Sequence, residues 1–114
     1  MNFIDSRLQR YAEEHTEEEP KLLQQLSRDT WAHVLAPRML SGHFQGRVLS
    51  MLSRMIRPQR ILEIGTYTGY SAICLAEGLA ENGMLHTIEV NEELHDMIEH
   101  YVNESPYKNN IRLY

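Results

Sequence analysis

A single cysteine, Cys74, rules out any disulfide within the chain. Its place in an apolar helical stretch fits a reducing, cytoplasmic setting. No apolar run approaches the roughly 20 residues needed to span a bilayer, and the N-terminal stretch lacks the apolar core of a signal peptide, so no membrane partner is expected. Basic residues are outnumbered, 11 against 16 acidic ones, for a formal net charge of −5. No basic footprint for nucleic acid is therefore visible. Low-complexity tracts and internal repeats are absent, and no nucleophile–base constellation is evident, so no catalytic residue is assigned. The 114 residues suffice for one domain with a modest core.

What is there centres on Arg60 to Ser71, Arg-Ile-Leu-Glu-Ile-Gly-Thr-Tyr-Thr-Gly-Tyr-Ser. Ile61, Leu62 and Ile64 form a short apolar run between Pro58 and Gly65, which predicts a buried strand covered on both faces, as in a parallel sheet. Gly65 to Gly69 read as a tight turn, and Tyr70 and Ser71 as the first turn of a helix. Glycines there let a small molecule approach the main chain, where N–H groups at the helix start are unpaired.

Two phosphate-binding readings fail on the residues. A dinucleotide fingerprint needs Gly-x-Gly-x-x-Gly, but Tyr67 and Tyr70 occupy its second and third glycine positions. A phosphate loop ends in Gly-Lys-Ser/Thr, and here Tyr70, Ser71 and Ala72 stand in those places. Two carboxylates point elsewhere. Glu63 lies inside the strand just before the turn, where it suits a ligand bearing an ammonium group. Glu89 closes the next apolar run (Leu85, Thr87, Ile88), about 20 residues past the turn, placed to accept hydrogen bonds from both hydroxyls of a ribose. A nucleoside joined to an amino acid describes S-adenosylmethionine.

Glu-Ile-Gly-Thr-Tyr-Thr-Gly-Tyr-Ser, followed by His-Thr-Ile-Glu-Val, resembles the cofactor-binding half of the small O-methyltransferases of the catechol and caffeoyl-coenzyme A type. Pro37 to Gly46 resembles the family's pre-motif loop, which closes over the methionine end of the cofactor. His43 stands where catechol-type members often carry an acidic residue. The resemblance implies a Rossmann-like class I methyltransferase fold, α/β, with three N-terminal helices followed by the first strands of a parallel sheet. It covers nearly all of this chain but about the first half of the family's domain, which implies a truncated fold. Residues 1–57 form the N-terminal helical region and 58–114 the first part of the S-adenosylmethionine-binding domain. The implied cofactor-binding residues are Ser41, Glu63, Gly65, Thr66, Tyr67, Gly69, Tyr70, Ser71, Glu89 and Val90. Tyr67 either covers the cofactor's methyl-bearing end or packs under the pre-motif loop. Ser41 and Ser71 would meet the amino-acid end, although a hydroxyl at a helix start is commonly just a cap.

Helical spacing places Ile4, Leu8 and Tyr11 on one side of residues 2–14. Thr16 and Glu19 read as a capping box with Pro20 in the first turn of a helix over 17–35, whose apolar side is Leu22, Leu23, Leu26, Trp31 and Val34. A third helix is expected over 43–56, with Val48, Leu49, Leu52, Met55 and Ile56 on its apolar stripe. The helix after the glycine turn should run from Tyr70 to Glu81. Asn82-Gly83 is a turn, and Asn91 caps a helix to about Asn103 with Leu94, Met97, Ile98, Tyr101 and Val102 facing inward. Strands are expected at 61–64, 85–90 and 111–114, side by side in the order third, second, first. His95 with Glu99, and Asp96 with His100, have metal-ligand spacing but fall opposite the apolar stripe, so they read as a solvated face. His33 has no carboxylate partner visible in sequence and reads as structural.

The resemblance implies methyl transfer from S-adenosylmethionine to a hydroxyl of a small catechol-like or phenolic acceptor. A magnesium or other divalent ion would be bound by the half this chain lacks, and no metal ligand is assigned here. The chain alone is expected to be inactive. A family relative acting on hydroxyuridine in tRNA, and a non-catalytic truncated cofactor-binding module, are the alternatives. A homodimer is expected, because the first strand would otherwise present a bare apolar edge.

Overall fold

The computed structural model describes residues 3–114. Its centre is a parallel sheet of β1 (Arg60–Ile64), β2 (Met84–Ile88) and β3 (Ile111–Leu113), in the order β1-β2-β3 that the crossovers require. Ile61 pairs with Leu85, Glu63 with Thr87, and Leu85 with Ile111. These residues share the face that meets the helices, where Leu85 and Ile111 join the core. The opposite face is bare among the described residues. Leu62 is 66 % and Ile64 82 % exposed, so β1 is covered on one side and not on both. β2 stops at Ile88, leaving Glu89 and Val90 beyond the strand, and β3 stops before Tyr114.

The predicted first helix begins at Asn2, outside the described residues. Within them α1 runs over Ser6–Glu14, capped by Asp5, and buries none of its residues. The capping box does not form. The Thr16 hydroxyl bonds back to the carbonyl of Ala12, closing α1, and Pro20 stands at the N-cap of α2 (Lys21–His33). The buried side of α2 is Leu23, Leu26 and Thr30, while Trp31 is 57 % exposed. A short 3-10 turn, Pro37–Met39, leads into α3 (Gly42–Ile56).

α3 keeps only part of its expected face: Leu49 packs against the core and Val48 is half-buried, but the rest of the stripe is exposed. Gly46, Arg47, Ser50 and Ser53 are buried, whereas Phe44, Met51, Leu52, Met55 and Ile56 are exposed. The cause is close packing on α4 (Tyr70–Ala76) and the turn after it. A Cβ at Gly46 would lie 2.6 Å from the Tyr70 ring, and one at Gly78 only 2.3 Å from the Ser53 backbone. Only small residues permit that approach, and it overrides the apolar stripe. The Ser53 hydroxyl donates to the Leu75 carbonyl at 2.6 Å, and Arg47 reaches Glu77 at 2.6 Å. The same approach ends α4 at Ala76, five residues early, because the chain turns there to bring Gly78 against α3.

Asn82, at φ +62, makes the expected turn with Gly83. Asn91 caps a 3-10 turn, Glu92–Leu94, that continues as α5 (His95–Glu104), with Ile98, Tyr101 and Val102 buried. No described helix is long and apolar enough to cross a membrane.

Candidate functional site

The turn after β1 is held from below and open above. The N–H groups of Gly65 and Thr66 both donate to the Ile88 carbonyl at the end of β2, at 2.9 and 3.2 Å. Gly65 has φ +95 and nothing within 4 Å of where a Cβ would stand, so its backbone faces open space. Beneath the turn, Thr66 and Thr68 are fully buried. The Thr66 hydroxyl pairs with that of Thr87 at 2.5 Å, and Thr68 accepts from the Thr30 hydroxyl of α2 at 3.1 Å. Thr66 is therefore committed to holding the turn: its hydroxyl is paired beneath it, its N–H donates to Ile88 and its carbonyl accepts from Gly69 N–H at 3.0 Å.

Glu63 lies under the turn. Its carboxylate accepts from the Ser71 hydroxyl at 2.6 Å and from Thr87 at 2.7 Å. Burial pushes its carboxyl above the usual carboxylate range, and these two hydrogen bonds oppose the rise. Tyr70 is buried, with its hydroxyl donating to Glu19, and burial with that carboxylate drives the phenol's pKa upward. Cys74, buried behind it, has its thiol pushed up to about 12 by burial and is unreactive.

Glu89 sits just past β2 and faces the turn. Its Oε1 accepts from the backbone N–H of Tyr67 at 2.8 Å, and its Oε2 from that of Asn91 at 3.1 Å. Its own carbonyl accepts from His95 Nε2 at 2.8 Å, so His95 belongs to the support of this acid and not to a solvated face. Val90 is 91 % exposed beside it. Tyr67 has φ +54, uncommon for a residue with a side chain. Its hydroxyl shares its one proton between the carbonyls of Leu35 and Ala36, at 2.8 and 2.9 Å, which places the ring under the pre-motif loop.

A cavity of about 100 Å³ separates that loop from the turn, with Met39, Leu40 and Ser41 on one wall and Gly65 to Thr68, Tyr70 and Ser71 on the other. It brings together Ser41, Gly65, Thr66, Tyr67, Tyr70 and Ser71 of the predicted set. Glu89 joins through Tyr67, whereas Glu63 and Gly69 support the turn from outside the cavity. Gly69, at φ +101, takes the left-handed conformation that starts α4.

Three supporting residues lie outside the set expected from the sequence. Glu19 holds Tyr70, Thr30 holds Thr68, and Asp29 accepts from Tyr101 at 2.8 Å. Asp29 is also the carboxylate partner of His33, at 2.8 Å. The i,i+4 spacing of Asp29 and His33 was the available clue.

A parallel sheet with a glycine turn after its first strand and an acid just past its second is a Rossmann-like arrangement, and the solved structures on which it superposes make it that of the class I methyltransferases. The comparisons with known proteins agree. A sequence model of the family described as O-methyltransferase matches residues 13–114. A caffeoyl-CoA O-methyltransferase of Zinnia elegans is 32% identical over 79 residues, which is 69% of this chain and 32% of that protein. The mouse catechol O-methyltransferase domain-containing protein 1 is 45% identical over 49 residues, 43% of this chain and 19% of that protein. Among solved structures, the O-methyltransferase TomG of Streptomyces achromogenes, in complex with SAM, superposes with a TM-score of 0.84 at 27% identity, covering 94% of this chain and 48% of that one. An SAH-bound methyltransferase of Podospora anserina gives 0.87 at 24% identity, covering 96% and 47%, and shows the shared fold. The chain belongs to the O-methyltransferase family. It spans about half the length of these two structures and a third or less of the two curated relatives.

Proposed function

We propose that this chain supplies the S-adenosylmethionine-binding half of an O-methyltransferase whose acceptor is a small catechol-like or phenolic hydroxyl. The observation that carries the reading is the Glu89 carboxylate, anchored at the glycine turn by the backbone N–H groups of Tyr67 and Asn91. Each carboxylate oxygen has a lone pair left over for a ribose hydroxyl. The residues fit the cofactor. Glu89 would hold the ribose, while the Gly65–Tyr67 backbone, Ser41 and Ser71 line the space for its amino-acid end. Glu63 lies close enough beneath Ser71 to favour an ammonium group there electrostatically. When bound, the cofactor supplies a methyl group on a sulfonium that is its own leaving group.

The work of this chain is binding and orientation. It fixes the donor so that an acceptor oxygen can approach in line, and such positioning accounts for a large share of the barrier lowering in a two-reactant transfer. Among the described residues no three of His, Cys, Asp and Glu converge. The test is isothermal titration of S-adenosylhomocysteine into the wild type and Glu89→Ala. Saturable binding lost in the variant supports the reading; no binding by the wild type overturns it.

A further inference from the structure

The pre-motif loop is held by few ties. Leu35, Ala36 and Met39 are exposed, and Leu40, half-buried against the core, is the loop's apolar anchor. Within the loop, Met39 and Leu40 donate back to Ala36 and Pro37, which shapes it without anchoring it to the rest of the chain. Ala36 is itself at φ +54, a conformation that persists in a residue with a Cβ only when neighbours enforce it. The Tyr67 hydroxyl meets this point, bonding both the Leu35 and the Ala36 carbonyl. The same residue's N–H is bound to Glu89. One strained residue thus connects the acid expected to take the ribose with the hinge of the loop that roofs the cavity. That cavity, about 100 Å³, is the space for the ligand's amino-acid end, and Met39 to Ser41 form one of its walls.

We propose that Tyr67 is a positioning residue that couples occupancy of Glu89 to the placement of the Leu35–Ser41 loop over the amino-acid end of the ligand. The proposal rests on the cofactor reading above. A hydroxyl arriving at Glu89 Oε1 shares that oxygen with the Tyr67 N–H. Any adjustment there passes through the Tyr67 ring to the two loop carbonyls.

The test is amide hydrogen exchange on this chain, wild type and Tyr67→Phe, with and without S-adenosylhomocysteine. Phenylalanine keeps the ring and its packing, so a merely structural ring leaves the exchange unmoved. Losing the hydroxyl tie is expected to speed exchange about fivefold in the free chain at Met39 and Leu40, whose amides are hydrogen-bonded within the loop, the equivalent of one net hydrogen bond. The amides of Leu85 and Thr87 should stay protected. In the wild type the ligand should slow exchange both at 65–69 and in the loop; in Tyr67→Phe it should slow only 65–69. Identical loop exchange in the two free chains, or equal slowing by ligand in both, overturns the coupling. Faster exchange at Leu85 and Thr87 as well overturns it too, because the effect would then be global. If the wild type binds no S-adenosylhomocysteine, the cofactor reading falls and the coupling with it, while the free-chain comparison still decides whether the tie exists.

Discussion

Glu89→Gln separates the anchoring of the turn from the proposed hold on the ribose. The amide keeps one acceptor oxygen but must place an NH2 group where the carboxylate accepted a second hydrogen bond. Tyr67 N–H is partly buried and Asn91 N–H is exposed, so the oxygen should turn to Tyr67 and water should serve Asn91. The fold then loses charge assistance on one partly buried bond, about 0.5–1 kcal/mol, which lowers the melting temperature by a few degrees. Binding loses more. Both ribose hydroxyls would donate to the carboxylate, and the amide accepts from only one. A hydrogen bond to a charged group contributes roughly 1.5–3 kcal/mol, so S-adenosylhomocysteine affinity should fall about tenfold to a hundredfold. Thermal unfolding and isothermal titration on the same preparation read the two effects side by side. A variant that melts a few degrees lower yet binds as tightly as the wild type would refute the ribose contact and leave Glu89 as a turn anchor only.

Gly78→Ala would force a methyl carbon to within 2.3 Å of the Ser53 backbone and 2.4 Å of Arg54 N. A loss of about 1–3 kcal/mol in urea unfolding is expected, and an unchanged midpoint would mean that α3 is not held that closely. Glu77→Ala takes from the Arg47 guanidinium, 4 % exposed, its 2.6 Å partner and leaves it only the carboxylate of Glu17 at 3.7 Å. About 3–5 kcal/mol should be lost, and the double variant Arg47→Met/Glu77→Leu should regain most of it; failure of that rescue would show that the ion pair is not the cause. The raised pKa of Glu63 means that the fold holds this proton more tightly than the unfolded chain does. Its contribution to stability is therefore full below about pH 4.3 and is lost as pH rises through the folded value. Glu63→Gln should gain on the wild type across that range in urea unfolding at stepped pH, and parallel curves would contradict the burial argument.

The order of strands, the glycine turn, the Asn82-Gly83 and Asn91 signals and the position of Glu89 could all be read along the chain, because each depends on neighbours a few residues away. Glycine conformation, strand patterning and capping are local properties, and they placed the turn and the acid within a residue or two. The failures involved surfaces that meet at a distance. The apolar stripe of α3 followed its helical period, yet the helix turned its glycine and serines inward, because backbone proximity to α4 outweighed side-chain hydropathy at that contact. Thr16 and Glu19 had capping-box spacing, but Glu19 was already committed to Tyr70, 51 residues away.

The chain's local chemistry thus determined that a strand, an open turn and a distal acid would assemble a site of this kind, and that a parallel sheet would carry them. Tertiary structure alone decided how the site is held. The partners of Tyr67, Thr68 and Glu63 lie 8 to 38 residues off in sequence, and a hydroxyl has no preference among distant acceptors until the packing of helices on the sheet brings one within 3 Å.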